Sequence, residues 1–295
     1  MLAVASAIGL GLYADFGALG DELASFRWEL FPLALAFTTL NYALRFWRWQ
    51  RYLARVRIDV PWKGSLAVFT AGLTMTITPA KLGELLKCAL LHRSYGVPVR
   101  RSAPVVLAER VTDASGVVLL ALVAGAGTRS WPLLVAAFAG IGLVIAVVRS
   151  PLLDRFAFFG EATEATRTLL TTGLLVGMTL LSAASWFCEG LAAYVCVRGL
   201  NLDLSLADTV VAFSLGSLAG AASFLPGGLG VAEASMTGLI HALGDVSKAA
   251  AAAATVLIRL ATLWYGVALG LIGLAVEARI RPADQGTATP GRYSS

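Results

Sequence analysis

The sequence predicts an all-α polytopic membrane protein, and three observations predict it. Mean hydropathy is +0.77, and 58% of the 295 residues are hydrophobic. Only 14% are charged, against about 25% in soluble domains. The apolar runs 111–128, 131–148, 168–197, 205–232 and 249–276 hold few or no charges each, and a helical span needs about 20 such residues. The expected architecture is about six full spans plus two re-entrant helical hairpins, arranged as an inverted-topology repeat.

In chain order, Met1 to Leu12 is apolar but short and lacks the charged n-region of a signal peptide, so it reads as a short first span near 1–13. Full spans follow near 29–46, 104–126, 131–149, 168–197 and 249–276. Between them lie two segments broken by Pro and Gly, 64–91 and 206–243. A half-helix of about 13 residues covers only about 20 Å of a hydrocarbon core roughly 30 Å thick. Each broken segment should therefore dip in and return to its own side. Residues 151–167, with Leu152, Leu153, Phe156, Phe158 and Phe159 among scattered charges, are expected to lie on the inner surface. Trp28, Trp47, Trp49, Trp62 and Trp131 fall at span ends, as an interfacial belt would. The whole of 1–281 is one transmembrane domain, with repeat halves about 29–126 and 168–278. The Gly-, Pro-, Ser- and Thr-rich stretch 282–295 should be a disordered cytoplasmic tail.

Charge sets the orientation. Arg45, Arg48, Arg51, Arg55, Arg57 and Lys63 precede the first broken segment, and Arg93, Arg100 and Arg101 follow it. Both flanks are basic, so both should be cytoplasmic, which is the re-entrant expectation. Arg149, Arg155, Arg167, Arg279, Arg281 and Arg292 fall on the same side, leaving Arg27, Arg129, Arg198 and Lys248 outside. The expected place is the inner (cytoplasmic) cell membrane, with both termini in the cytoplasm. Three full spans separate the broken segments, so the second should enter from the opposite face. The pI near 9.3 then reflects orientation and anionic lipid rather than nucleic acid.

The same residues exclude several chemistries. Cys88, Cys188 and Cys196 lie in apolar runs without metal-like spacing, and His92 and His241 are too few and too separated for a metal cluster. No nucleophile–base pair is legible. Neither an enzyme, a metal nor a cofactor is expected.

What remains is charge at membrane depth, where each ionised side chain costs about 2.5–3.5 kcal/mol on insertion scales. The first break reads Pro79-Ala80-Lys81-Leu82-Gly83-Glu84, followed by Lys87. The next span holds Glu109, Arg110 and Asp113, spaced so as to form one cluster. The second break reads Pro226-Gly227-Gly228-Leu229-Gly230-Val231-Ala232-Glu233, with Glu189 before it and Arg259 after it. A purely structural set would pair Lys81 or Arg110 with Glu84 or Asp113, and Arg259 with Glu233 or Glu189. Lys87 and Glu109 are best read as snorkelling near the inner interface. Glu84, Arg110, Glu233 and Arg259 sit at breaks or at matched places in the two halves, which favours function.

The breaks themselves suggest a ligand. Pro79 and Pro226 act as hinges, Pro79 suiting the first turn of a new helix after Thr78. Gly227, Gly228 and Gly230 permit close approach to backbone. A helix starting at each break aims free N–H groups and its positive dipole end at mid-bilayer, suited to an anionic group. Lys81, Arg110 and Arg259 would add charge and directed donors. The candidate substrate-binding set is therefore Lys81, Gly83, Glu84, Arg110, Asp113, Gly227, Gly228, Gly230, Glu233 and Arg259.

Pro79–Glu84, Glu109-Arg110-Val111-Thr112-Asp113 and Pro226–Glu233, taken together, resemble the flippase-like transmembrane domain family of lysylphosphatidylglycerol synthases. The likeness runs from about Asn41 to Ala278. It implies lipid translocation, of aminoacylated phosphatidylglycerol in the two-part enzymes, whose transferase half is a soluble C-terminal domain. This sequence ends soon after Arg281, so aminoacyl transfer is not expected of it. The resemblance also implies a polyprenyl-phosphate-linked glycan carrier as a second substrate class, with a glycosyltransferase or lipid synthase as candidate partner. The leading expectation is a flippase or scramblase of an anionic phospholipid or polyprenyl-phosphate-linked lipid. The alternative is a non-transporting membrane partner that presents a lipid-linked substrate to a separate glycosyltransferase or synthase. The sequence does not set oligomeric state.

Overall fold

The computed structural model describes residues 15–77, 85–125 and 160–280, with isolated positions 135, 142 and 146 between. The expected spans 1–13 and 131–149, the tail from 281 and the first break at 78–84 lie outside the described residues. All regular structure among the described residues is helical. The helices are α1 (Phe16–Ser25), α2 (Phe31–Arg55), α3 (Trp62–Gly72), α4 (Leu86–Tyr95), α5 (Val99–Ala124) and α6 (Gly160–Leu169). They continue with α7 (Thr172–Gly199), α8 (Leu206–Ala222), α9 (Val231–Gly244), α10 (Lys248–Arg259) and α11 (Tyr265–Ile280).

Local chemistry sets the boundaries. Ser205 caps α8 through Asp208 N at 3.1 Å, and Ser247 caps α10 through Ala250 N at 3.0 Å. Gly96, at φ 67°, ends α4 with its N–H on the His92 carbonyl. Between α10 and α11 the helix continues as a π turn, Leu260–Trp264. α7 and the continuous Lys248–Ile280 rod are each long and apolar enough to cross a membrane. α2 and α5, of 25 and 26 residues, have the length as well but bring charge with them.

Both broken segments are antiparallel helical hairpins. A Cβ added at Gly64 would strike the Tyr95 hydroxyl, and one at Gly72 the Lys87 side chain, so α3 and α4 run side by side in opposite directions. In the second hairpin, Gly216 lies against Met236 and Gly220 against Ala232. Small residues permit this contact, which is how helices gain packing in a solvent that supplies no hydrophobic drive between them. α8 has 17 residues, about 25 Å at 1.5 Å each, longer than the half-helix expected but still short of a full span. The short 3₁₀ turns at the two tips, Leu73–Ile77 and Pro226–Gly228, pack against each other.

The two halves match element by element. Up to the tips the offset is 144: α1 corresponds to α6, Asn41 to Ser185, and left-handed Arg57 (φ 55°) to left-handed Asn201 (φ 56°). Beyond the tips it is 149. His92 Nδ1 meets Val97 O and His241 Nδ1 meets Val246 O, while Arg110 corresponds to Arg259. The equivalent helices α2 and α7 pack antiparallel, since Arg27, just before α2, donates its N–H to Gly199 O at the end of α7. Asn41 Nδ2 donates to Ser185 O at 2.7 Å, so two equivalent positions touch where a local two-fold axis would pass. Packing is exchanged accordingly. α3 of the first hairpin lies on α11, and α8 of the second lies on α5.

Three expectations change. Trp28, Trp47 and Trp62 are exposed as an interfacial belt requires, but Trp49 is fully buried and donates to Ser65 Oγ. Arg45 and Arg48 were expected among the cytoplasmic flank; both turn into the bundle, Arg48 completely. The span expected at 168–197 begins later, at Thr172, because the chain turns at Leu170 and Thr171.

The seam between α3 and α11 has almost no spare room. A Cβ at Gly270 would lie 2.4 Å from Thr74 N, and one at Gly273 2.4 Å from Thr70 Oγ1 and 2.6 Å from Ala71 N. Gly270→Val is therefore expected to cost about 1–3 kcal/mol, the usual range for overpacking, in unfolding titrations of purified protein. Gly177→Val, at a position with open space around it, should stay within about 0.5 kcal/mol.

Candidate functional site

A cavity of about 240 Å³ lies between the two hairpin tips. α2 contributes Tyr42 and Arg45 to its wall, α5 contributes Arg110 and Asp113, and α7 contributes Trp186 and Glu189. The second tip supplies Gly227 and Gly228, and Arg259 lies at the end of α10. Val117, Leu218 and Leu263 give the cavity an apolar side.

Asp113 is the hub. Its carboxylate takes Arg48 at 2.7 Å, Arg110 at 2.8 Å, Arg45 at 3.2 Å and the Ser182 hydroxyl at 2.9 Å. Three guanidinium groups on one buried carboxylate leave a local excess of positive charge. Sequence reasoning found Arg110 and Asp113 but missed Arg45 and Arg48. The signal was present: Asn41, Arg45, Arg48 and Tyr52 are spaced 4, 3 and 4, a polar stripe along one face of α2. Proximity to a basic flank hid it.

Arg259 and Glu233 form the second centre. Arg259 Nε lies 2.6 Å from Glu233 Oε1, and its Nη2 donates to Gly227 O at 2.8 Å. Glu233 Oε2 accepts the Gly230 N–H at 2.5 Å. This corrects one expectation. The start of α9 is not a vacant anion site, because the chain's own Glu233 carboxylate already sits at that positive helix end. Nor are the tip glycines simply bare. Gly227 (φ 63°), Gly228 (φ 66°) and Gly230 (φ 87°) adopt the left-handed backbone that side chains avoid. A Cβ at Gly228 would meet Gly220 Cα at 2.8 Å. Pro226 opens the tip turn.

Both pairings expected of a structural salt-bridge set thus occur, Arg110 with Asp113 and Arg259 with Glu233. Glu109, however, leaves the Arg110–Asp113 cluster. It takes Lys87 at 2.6 Å, both groups buried, with the ammonium 4.7 Å above the Trp49 ring. They do not extend along the surface to snorkel: both are buried in the bundle, with the Trp49 and Phe69 rings against the Lys87 ammonium. Lys81, Gly83, Glu84 and Pro79 lie outside the described residues.

Around the cavity, Arg45, Arg48, Arg110 and Arg259 stand against Asp113, Glu189 and Glu233. The described residues therefore leave one net positive charge. Tyr42 OH donates to Thr262 O at 3.1 Å, tying α2 to the π turn that directly follows Arg259. Such turns recur where a helix must re-aim side chains at a site. No group of His, Cys, Asp and Glu among the described residues is arranged to hold a metal ion.

This arrangement of paired tips can be set beside known proteins. Residues 1–270 match the lysylphosphatidylglycerol synthase TM region. The chain belongs to that family. As a family member it is a helical membrane protein, which the long apolar rods already indicated. Among curated relatives, a "UPF0104 membrane protein" of Methanothermobacter thermautotrophicus is 30% identical over 136 residues, covering 41% of this chain and 40% of that protein. A second match to a protein so described in the same organism is 32% identical over 94 residues, covering 32% of this chain and 28% of that protein. The matched regions thus span less than half the length of these relatives. The lysylphosphatidylglycerol synthase TM region family matches the chain from before α1 to within α11, so both hairpins and the cavity between them fall inside the shared unit.

Proposed function

We propose that the protein moves an anionic, phosphate-bearing lipid between leaflets, using the cavity where the two hairpin tips meet. The observation behind this reading is the placing of Arg45, Arg110 and Arg259 on one wall system with an apolar side formed by Val117, Leu218 and Leu263. Small-molecule pockets run to about 300–1,000 Å³, so a space of about 240 Å³ suits a headgroup and not a whole lipid. Acyl chains would stay outside in the hydrocarbon, where Phe224 and Leu225 at the second tip are exposed. Arg110 and Arg45 donate to the phosphate, Asp113 keeps them aimed, and Arg259 holds the tip through Gly227 and Glu233. Lys81, Gly83 and Glu84 of the first break are proposed members of the same binding set. The lipid is a phospholipid or a polyprenyl-phosphate carrier, and a synthase or glycosyltransferase that makes or uses it is the natural partner.

In this reading both hairpins are re-entrant, one from each face. The base of the first gathers Arg51, Arg55, Arg57, Lys63, Arg93, Arg100 and Arg101, while that of the second gathers Asp203, Asp208 and Asp245 beside Arg198 and Lys248. On this reading the basic end faces the cytoplasm and the membrane is the inner, cytoplasmic one. No nucleotide-binding motif is present in the sequence, so a gradient would supply any energy.

The test is headgroup accessibility in proteoliposomes with a fluorescent phosphatidylglycerol and a membrane-impermeant quencher. Purified protein should move the lipid faster than empty vesicles, and Arg110→Gln should slow it roughly tenfold or more, the value of one charge-assisted hydrogen bond. Movement no faster than in empty vesicles, under every imposed gradient, would end this reading.

A further inference from the structure

We infer that a second, peripheral phosphate-binding site exists at the base of the first half, formed by Arg55, Arg57 and Arg101. It does not depend on transport through the central cavity. A groove of about 700 Å³ opens there between the end of α2, the start of α5 and α6. Among the described residues, its walls hold the three arginines against one carboxylate, Glu164. Arg101 is fixed over the groove by donating Nη2 to Val56 O at 3.2 Å, so part of the ordering cost is met before any ligand arrives.

Arginines are common at a membrane boundary for orientation alone, and Arg51 behaves that way, its guanidinium 4.7 Å over the exposed Trp47 ring. Arg55, Arg57 and Arg101 instead converge on one concavity. The internal repeat sharpens the contrast. Their equivalents in the second half are Gly199, Asn201 and Ala250, and there Phe26 closes onto Gly199, where a Cβ would lie 2.1 Å from its ring. The same scaffold is thus closed with apolar packing at one end and left hollow and cationic at the other. The second half builds the equivalent arrangement with no arginine at these three positions. Three arginines and no lysine suit the planar, forked recognition of phosphate oxygens. Trp62, five residues after Arg57 and exposed at the start of α3, has the character of an interfacial tryptophan. The ligand chemistry is a phosphate group, from an anionic lipid headgroup or from free phosphate.

The test transplants second-half residues into the first. The variant is Arg57→Asn with Arg101→Ala, in protein held in phosphatidylcholine nanodiscs containing some phosphatidylglycerol. Native mass spectrometry reads retained phosphatidylglycerol, and thermal unfolding with sodium phosphate against sodium chloride reads free phosphate. Loss of about tenfold in lipid retention, with free phosphate inert, assigns a headgroup site. Protection of wild type but not variant by free phosphate, with lipid retention unchanged, assigns a soluble phosphate site. Arg57→Lys with Arg101→Lys should lose less than the neutral variant, and Arg51→Gln should behave as wild type. If the double variant is not recovered folded, Arg55→Gln reads the same two arms. Neutral variants equal to wild type in both arms would overturn the inference, whatever the transport assay gives.

Discussion

Asp113→Asn is expected to be the most damaging conservative substitution in the chain, costing about 3–5 kcal/mol as an uncompensated buried charge. The carboxylate is the shared partner of Arg45, Arg48 and Arg110. Neutralising it leaves three guanidinium groups facing one another, Arg48 with almost no access to solvent. Removing one arginine is different: after Arg110→Gln, Asp113 still has Arg45, Arg48 and Ser182. That change should cost only about 1 kcal/mol, while abolishing most transport. Unfolding of purified protein and flux in vesicles together separate the two. Equal loss of stability in both variants would mean that Asp113 is not the hub.

Lys87→Met is the second large effect, again about 3–5 kcal/mol, because it strands Glu109 without its cation. Glu109 Oε1 has no hydrogen-bond partner even in the native pair, so desolvation there is already poorly offset. The double change Lys87→Met with Glu109→Leu should then recover most of the loss and approach wild-type stability. It should also leave phosphatidylglycerol movement unchanged, since neither residue reaches the cavity wall. A double variant as damaged as the sum of its parts would show that the pair does more than close a dry seam.

These two clusters explain how far sequence reading could go. Glu109, Arg110 and Asp113 share five residues of one helix, and spacing alone puts them together. Yet α5 is enclosed by different neighbours on each side, and α4 draws Glu109 one way while α2 and α7 draw Asp113 the other. Arg48 looked like a topology signal because it stands beside Arg51 and Arg55, although a rotation of one helix face separates a fully buried guanidinium from exposed ones. The Glu233 carboxylate was legible as a break-associated charge. That it serves its own helix start, and so occupies the place offered to an anion, depended on the left-handed turn at Gly230.

The sequence by itself determined the membrane class, the helical fold and the second helix break at Pro226–Gly230, because those follow from local composition and from Pro and Gly restricting the backbone. Only the tertiary structure decided which charges meet. Ion pairs in a bundle are settled by which helix faces oppose each other, and residues as far apart as Arg45, Asp113 and Ser182 become neighbours only when α2, α5 and α7 pack. The contact between the two hairpin tips is of the same kind: each tip is written in its own half, and their meeting belongs to the antiparallel packing of α2 on α7.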